Sequence, residues 1–233
     1  MKIAIHQPNY FPWLGYFAKM AQSDVFIFLD DAQLPQGRSY VHRTRILADG
    51  GGFWMSAPVR RERLQAIRDV RFAEDGWRRR HRAMLFHTYR QAPFFEPVMA
   101  LLDPLFSLET DSLSRFNMHA VSRLADYLDI PCRCEVASSY GVTSNSDDRL
   151  IDLVRAVGGA VYISGEGGQN YQHIGKFEAA GIELRVCSYK PRPYPQVQNG
   201  FVAGLSVLDA LFNLGPDARH QLTYAAEETC PSV

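Results

Sequence analysis

The sequence predicts an α/β fold: an open, mostly parallel sheet with helices on both faces and a central helical insertion. Three observations predict it. From residue 146 onward helix and strand patterns alternate with short links, as in a parallel sheet covered on both sides. "DVFIFLDD" is a continuous apolar run, the pattern of a strand buried on both faces. The stretch from Trp77 to Ile130 has helical periodicity and no strand pattern. A chain of 233 residues can bury one sizeable core, and no linker or repeat divides it. The expected organisation is a single domain over 1–233 with a helical subdomain at about 77–130.

"KIAIH" alternates as a short buried strand, and "WLGYFAKMAQS" carries Trp13, Tyr16, Phe17 and Met20 at helical spacing. "FWMSAPV" is a strand closed by Pro58. "GWRRRHRAMLFHTYRQAP" is an amphipathic helix through Trp77, His81, Met84, Leu85 and Thr88, with arginines opposite. "FFEPVMALLDPLFS" is expected as two short helices, because prolines stand at 97 and 104. "DSLSRFNMHAVSRLADYLDI" is a capped helix, "CRCEVAS" a strand, and "SNSDDRLIDLVRAVGG" a helix stopping on glycine. Strand "AVYIS", loop "GEGGQN", helix "YQHIGKFEAAG" and strand "IELRVCSY" follow. "PRPYPQ" crosses the surface, Leu205, Leu208, Leu211 and Phe212 define a last packing helix, and the tail from Glu227 is expected to fray.

The 25 basic and 25 acidic residues cancel, which removes any global drive toward nucleic acid or anionic membrane. No apolar run reaches the roughly 18 residues of a membrane span, and the first residues are too short a run for a secretory signal. Cys132, Cys134, Cys187 and Cys230 lack metal-type spacing and are expected as reduced thiols in a cytoplasmic protein. Serine-protease order, HExxH and CxxC are absent, so hydrolase and zinc chemistry have no support.

In an open parallel sheet ligands bind beyond the carboxyl ends of the strands. Three segments place polar groups there: His6, Gln7 and Asn9; Asp30, Asp31 and Gln33; and Ser164, Gly165, Glu166, Gly167, Gly168, Gln169 and Asn170. Pro8 and Pro12 stiffen the first turn, so His6 with its amide neighbours suits a phosphate or oxyanion; a hydrogen-bonded core histidine is the competing assignment. Asp30 or Asp31 could hold a cation, orient an amine or act as a base, or close the strand as an Asx turn. "SGEGGQN" could cradle a phosphate with backbone N–H groups, although it fits neither the P-loop nor GxGxxG. Arg43 is a phosphate-binding candidate and Lys19 a second anion binder. His81 is either buried structure or an acid–base group. Tyr194 and Gln196 could wall the site, while Asp209 reads as a helix-end or buried-pair residue.

The strings "HQPNYFPWLGYFAKMAQSDVFIFLDDAQ", "HRTRI", "WRRRHRAML", "TYRQAPFF", "YISGEGGQNYQ" and "LSVLDALFNLG" occur in an order that resembles the WbqC-like family, from His6 to about Gly215. Members are often encoded in O-antigen and surface-polysaccharide clusters, and some have been proposed to attach glycine or another aminoacyl group to an amino sugar. The resemblance implies an acyl or aminoacyl transferase, or an amide-forming ligase, acting on an amino sugar or related small amine. Its donor would be an adenylate made from ATP with Mg²⁺, or a preformed aminoacyl group on tRNA or a carrier. In that scheme His6, Gln7 and Asn9 stabilise phosphate or oxyanion charge, Asp30 or Asp31 positions or deprotonates the amine, and Arg43 and Lys19 bind anions. The 164–170 loop then holds the second substrate. His42 departs from the family, which more often has Asn before Arg43. A weaker similarity, a strand, a His-bearing turn, a helix and an Asp-terminated strand, is to Rossmann-like nucleotidylyltransferases; their HxGH signature is absent, since no second His follows Gly15. Two other functions stand beside the leading one: nucleotidylyl transfer to a sugar phosphate, and non-catalytic binding of a sugar nucleotide.

Overall fold

The computed structural model describes residues 1–37, 39–48, 51–170 and 172–223, with the backbone alone for Gln169 and Asn170. Cys230 and the tail from Glu227 lie outside the described residues. The alternating opening forms β1 (Lys2–His6), the aromatic-rich segment forms α1 (Leu14–Ala21), and the apolar run forms β2 (Val25–Phe28). Two small antiparallel pairs follow, β3 (Arg43–Ala48) with β4 (Gly51–Ser56) and β5 (Val59–Arg60) with β6 (Arg71–Phe72). Then come α2 (Trp77–Tyr89), α3 (Phe95–Phe106), α4 (Leu113–Tyr127) and β7 (Arg133–Val136). The chain closes with α5 (Ser146–Ala156), β8 (Val161–Gly165), α6 (Ile174–Ala179), β9 (Glu183–Cys187) and α7 (Val207–Leu214).

Five strands form one all-parallel sheet in the order β7-β2-β1-β8-β9. The chain moves outward from β1 to β2 and β7, then returns past β1 to lay down β8 and β9. The order therefore reverses between β1 and β8, which is where doubly wound sheets open a crevice. Alternation assigns the two faces. Ala4, Phe26, Phe28 and Ile163 point into a core shared with α1, α2, α3, α4 and α7. Ile3, Ile5, Val25, Ile27 and Tyr162 point into a second core closed by Ile151, Leu153 and Val154 of α5 and Phe177 of α6.

In α2, Trp77, His81, Leu85 and Tyr89 are the buried residues, one per turn, while Arg79, Arg80 and Arg82 stay exposed. The two expected pieces of α3 are one helix. Pro97 stands in the first turn, where its missing N–H would have no partner anyway, and Pro104 falls in the last turn, so neither breaks the body. The β3–β4 pair belongs to no part of the main sheet, although the run "FWMSAPV" reads as a strand.

The turn after β1 is held from every side. Phe11 adopts φ 41°, a left-handed conformation that costs a bulky residue strain. Its carbonyl accepts the hydroxyls of Thr44 at 2.8 Å and Ser206 at 2.7 Å. Tyr10 N–H donates to the Tyr40 carbonyl and Val207 N–H to the Pro12 carbonyl. The fully buried Asn117 of α4 donates to the carbonyls of Pro8 at 2.8 Å and Val41 at 2.7 Å. Gly15 lets the Trp13 indole fold across the start of α1, since a Cβ there would lie 2.5 Å from the ring.

Replacing Asn117 by Ala strands two buried carbonyls, so a loss of about 2–4 kcal/mol in urea unfolding is expected. A loss below about 0.5 kcal/mol would show that this tie contributes nothing beyond an ordinary surface contact.

Candidate functional site

All five sheet strands end at one level. Register pairs Val136 with Phe28, Phe28 with His6, and Gly165 with Cys187. The Ala4–Ile163 pairing carries on to set His6 beside Gly165. The carboxyl edge of the sheet thus gathers His6, Gln7, Asp30, Asp31, Ser164 and Glu166 across β2, β1 and β8.

His6 is half-buried, with its ring 4.7 Å from Tyr16 in an edge contact. Its Nδ1 lies 3.2 Å from the Gln7 carbonyl, which also accepts the Tyr16 hydroxyl at 3.1 Å. A carbonyl can only accept, so Nδ1 carries the proton and Nε2 keeps its lone pair. Burial, helped by the Lys19 charge, lowers its pKa from 6.5 to about 3. At neutral pH the ring is an acceptor, whereas stabilising an oxyanion requires a donor. Lys19 is buried, 4% exposed, with Nζ donating to the Ile5 carbonyl at 2.9 Å. Burial pulls its pKa down to about 8. It supports the end of β1 from inside. The buried Asn9 directs its backbone N–H at the Tyr16 hydroxyl.

The two acidic residues after β2 part ways, as neighbours in an extended chain must. Asp30 is buried and accepts Ser138 N–H at 3.0 Å and Ser138 O–H at 2.8 Å, tying the end of β2 to the 3-10 turn Ala137–Tyr140 after β7. Asp31 pairs with Arg149 of α5, Oδ2 to Nη2, at 2.5 Å. Its Oδ1 is buried without a hydrogen-bond partner, as is Arg149 Nε. Gln33 is exposed on the outward segment bridging to Ala66.

The glycine-rich stretch after β8 does not open a long helix. It curls into a 3-10 turn, Glu166–Asn170, and α6 begins only at Ile174. This corrects the picture of a helix start cradling phosphate directly from the loop. Ser164 donates to Gln172 Oε1 at 2.7 Å. Gly168 makes room for that bond, since a Cβ there would run into Ser164 Oγ. Glu166 accepts the Ser188 hydroxyl. The side chain of Asn170 lies outside the described residues.

Three of the sequence candidates lie elsewhere. His81 is 4% exposed and its ring spans two partners, the Tyr10 hydroxyl at Nδ1, 2.7 Å, and the Ser56 carbonyl at Nε2, 3.1 Å. Nε2 carries its proton, and burial lowers its pKa to about 4. Arg43 lies on the β3–β4 pair, its guanidinium carbon 4.3 Å from the Trp54 ring centre. Tyr194 is buried and donates to Asp209 Oδ2 at 2.7 Å, beside donors from Gln196 at 2.7 Å and Tyr89 at 3.1 Å. Asp209 is thus a buried carboxyl held by three donors, with its pKa raised by burial against the pull of those hydrogen bonds.

Sequence inspection missed Asp147, Arg149 and His173. The buried Asp147 accepts both the backbone N–H and the Nδ1 of His173 on Oδ2, at 3.0 and 2.8 Å. Their signal is topological: in a βαβ unit the first turn of the crossover helix returns from the carboxyl edge. Polar residues in the first turn of α5 are therefore edge residues. Among the described residues, no three His, Cys, Asp or Glu side chains come together as a metal ion would need.

Fold and edge together define an α/β protein of the doubly wound kind, with polar residues gathered at the point where strand order reverses. The sequence pattern of the WbqC-like protein family matches residues 7–221, and the chain belongs to that family. It is also 31% identical over 230 residues to "Uncharacterized protein Rv1507c" of Mycobacterium tuberculosis (strain ATCC 25618 / H37Rv), covering 97% of this chain and 99% of that one. No solved structure matches. Among the described residues no helix is long and apolar enough to cross a membrane.

Three rings define an acid limit. The unfolded chain protonates His6, His42 and His81 as pH falls through 6.5, whereas the folded chain holds them neutral to about 3, 4 and 4. The unfolded state then binds more protons, so stability is full above pH 6.5 and declines as pH drops toward 4. Urea unfolding between pH 7 and 4.5 is expected to show that fall, with a slope about one proton smaller in His81→Gln. An identical slope in the variant would remove His81 from the balance.

Proposed function

We propose that the chain forms an amide, transferring an acyl or aminoacyl group such as glycyl to the amine of an amino sugar or a related small amine. The observation that supports it best is the neutral His6 ring at the strand-order reversal, with a lone pair on Nε2. An amine attacking an acyl carbon forms the C–N bond, expels the leaving group and must shed a proton. His6 Nε2 accepts a hydrogen bond from the amine and so orients its lone pair toward the acyl carbon, while the proton that is shed leaves with the departing group or to solvent. Of the two acids, Asp30 is occupied by Ser138. Asp31, ion-paired with Arg149 and with a second oxygen that has no partner among the described residues, is the one assigned to orient the amine, a step that must uncover that buried oxygen. The Ser164–Gly168 turn and Glu166 lie two strands from Asp31, about 10 Å along the edge, a span that a sugar nucleotide covers.

The acyl donor is either an adenylate made from ATP with Mg²⁺ or a preformed aminoacyl group on tRNA or a carrier; a metal would ride on the nucleotide. Both supplies, and the sugar nucleotide, place the reaction in the cytoplasm. The protein incubated with a nucleoside diphosphate amino sugar and glycine is expected to yield an acceptor heavier by one glycyl residue. Parallel arms supply ATP with Mg²⁺ or glycyl-tRNA. His6→Ala is expected to slow the productive arm by about 10²–10⁴-fold with an unchanged far-ultraviolet circular dichroism spectrum. An acceptor unmodified in every arm, or a fully active His6→Ala, would overturn the proposal.

A further inference from the structure

In a chain whose charges cancel overall, a surface formed by β3, β4 and the segment after β5 gathers positive charge that no carboxylate among the described residues pairs with. Arg43 lies over Trp54, its guanidinium carbon 4.3 Å from the ring centre, and Tyr40 packs on the same indole at 5.3 Å and 59°. Arg61 donates to His42 Nε2 at 2.6 Å. Among the described residues, neither Arg43 nor Arg61 forms an ion pair, although nine other Arg or Lys side chains do. Arg43 Nε is buried without an acceptor. Burial and the two guanidinium groups push the His42 pKa down to about 4, so the ring adds no third charge at neutral pH.

Each feature costs the empty fold something. A desolvated guanidinium N–H without an acceptor is unfavourable, and so are two cations drawn together without a carboxylate. An anion with several oxygens offsets the second cost directly, although the covered Nε itself is out of its reach. Arginine is also the side chain that grips such a group through paired N–H bonds, with its plane stabilised on an aromatic face. Tyr40 is 43% exposed beside the half-buried Trp54, leaving ring surface for a planar base.

We propose that Tyr40, His42, Arg43, Trp54 and Arg61 form a subsite for the diphosphate of a nucleoside diphosphate, with the aromatic pair beside the base. Backbone contacts tie this surface to the turn that follows His6: Tyr10 N–H donates to the Tyr40 carbonyl at 2.9 Å, and Asn117 joins Pro8 to Val41. A diphosphate held here would leave the attached sugar to extend toward the carboxyl edge. Only that last placement rests on the amide-forming proposal; the diphosphate subsite stands apart from it.

Isothermal titration with inorganic pyrophosphate and with UDP, in the absence of any acyl donor, tests the subsite. Both are expected to bind, UDP the more tightly. Arg43→Gln and the exposed Arg61→Gln should each weaken binding by about tenfold or more. Arg43→Lys, which keeps the charge but loses the paired N–H bonds, should fall between, and Arg79→Gln on the exposed face of α2 should change nothing. Failure of both ligands to bind overturns the subsite, and so does unaltered affinity in both glutamine variants. Transfer RNA binding through these arginines while pyrophosphate does not bind would reassign the surface to nucleic acid and overturn it too. Absent acyl transfer alongside intact UDP binding would count against the amide-forming proposal alone.

Discussion

The structure depends on the anchoring of one turn, residues 7–13, by groups from distant parts of the chain. The turn is irregular, carries a left-handed Phe11 and includes two prolines, so it cannot satisfy its own carbonyls. Thr44, Asn117 and Ser206 supply the donors, and Tyr40 and Val207 complete the backbone pairing. Thr44, Asn117 and Val207 belong to β3, α4 and α7, Ser206 caps α7, and Tyr40 stands just before β3. The turn therefore fixes where the insertion and the last helix sit relative to β1, and it aims the end of β1 at the crevice. The stiffness noticed in its sequence is needed because buried backbone groups without partners would cost more than the ordering does.

Polarity at the carboxyl edge is divided between groups that are spent and groups that are spare. Asp30 and Glu166 are engaged by serine hydroxyls, and Lys19 by a backbone carbonyl. Among the described residues, His6 Nε2 and Asp31 Oδ1 have no such partner. Spare hydrogen-bonding capacity inside an otherwise satisfied structure is costly to keep, which makes it more informative about ligands than the number of polar residues nearby.

What was legible in the sequence was local. The five sheet strands, α1, α2, α4 and α7 follow from periodicity and caps, because burial on one or both faces leaves a repeating mark. What was not legible was pairing. "FWMSAPV" reads as a strand, yet nothing within it says that its partner is the antiparallel β3 outside the sheet. The prolines of α3 mislead because their effect depends on position within the helix: Pro97 falls in the first turn and Pro104 in the last. His6, Asp31 and Ser164 were found because they follow apolar strands. Asp147 and His173 were not, since a first-turn residue looks like an ordinary cap until the topology is known. His81 was ambiguous for a chemical reason: only its two partners, Tyr10 and the Ser56 carbonyl, distinguish a buried strut from a reactive ring.

The position of β1 has a consequence for the order of assembly. It is made before the other four strands of the sheet, yet it lies at the centre, between a strand that follows within some twenty residues and one that begins at Val161. Its turn waits longer still, for Ser206 and Val207. During synthesis the amino-terminal strand emerges with one edge unpaired while most of the chain is still to come. Long-range closures of this kind slow folding and leave strand edges exposed meanwhile. The crevice is thus among the last features to form, and a nascent chain stopped before α7 would present its sheet without a finished mouth.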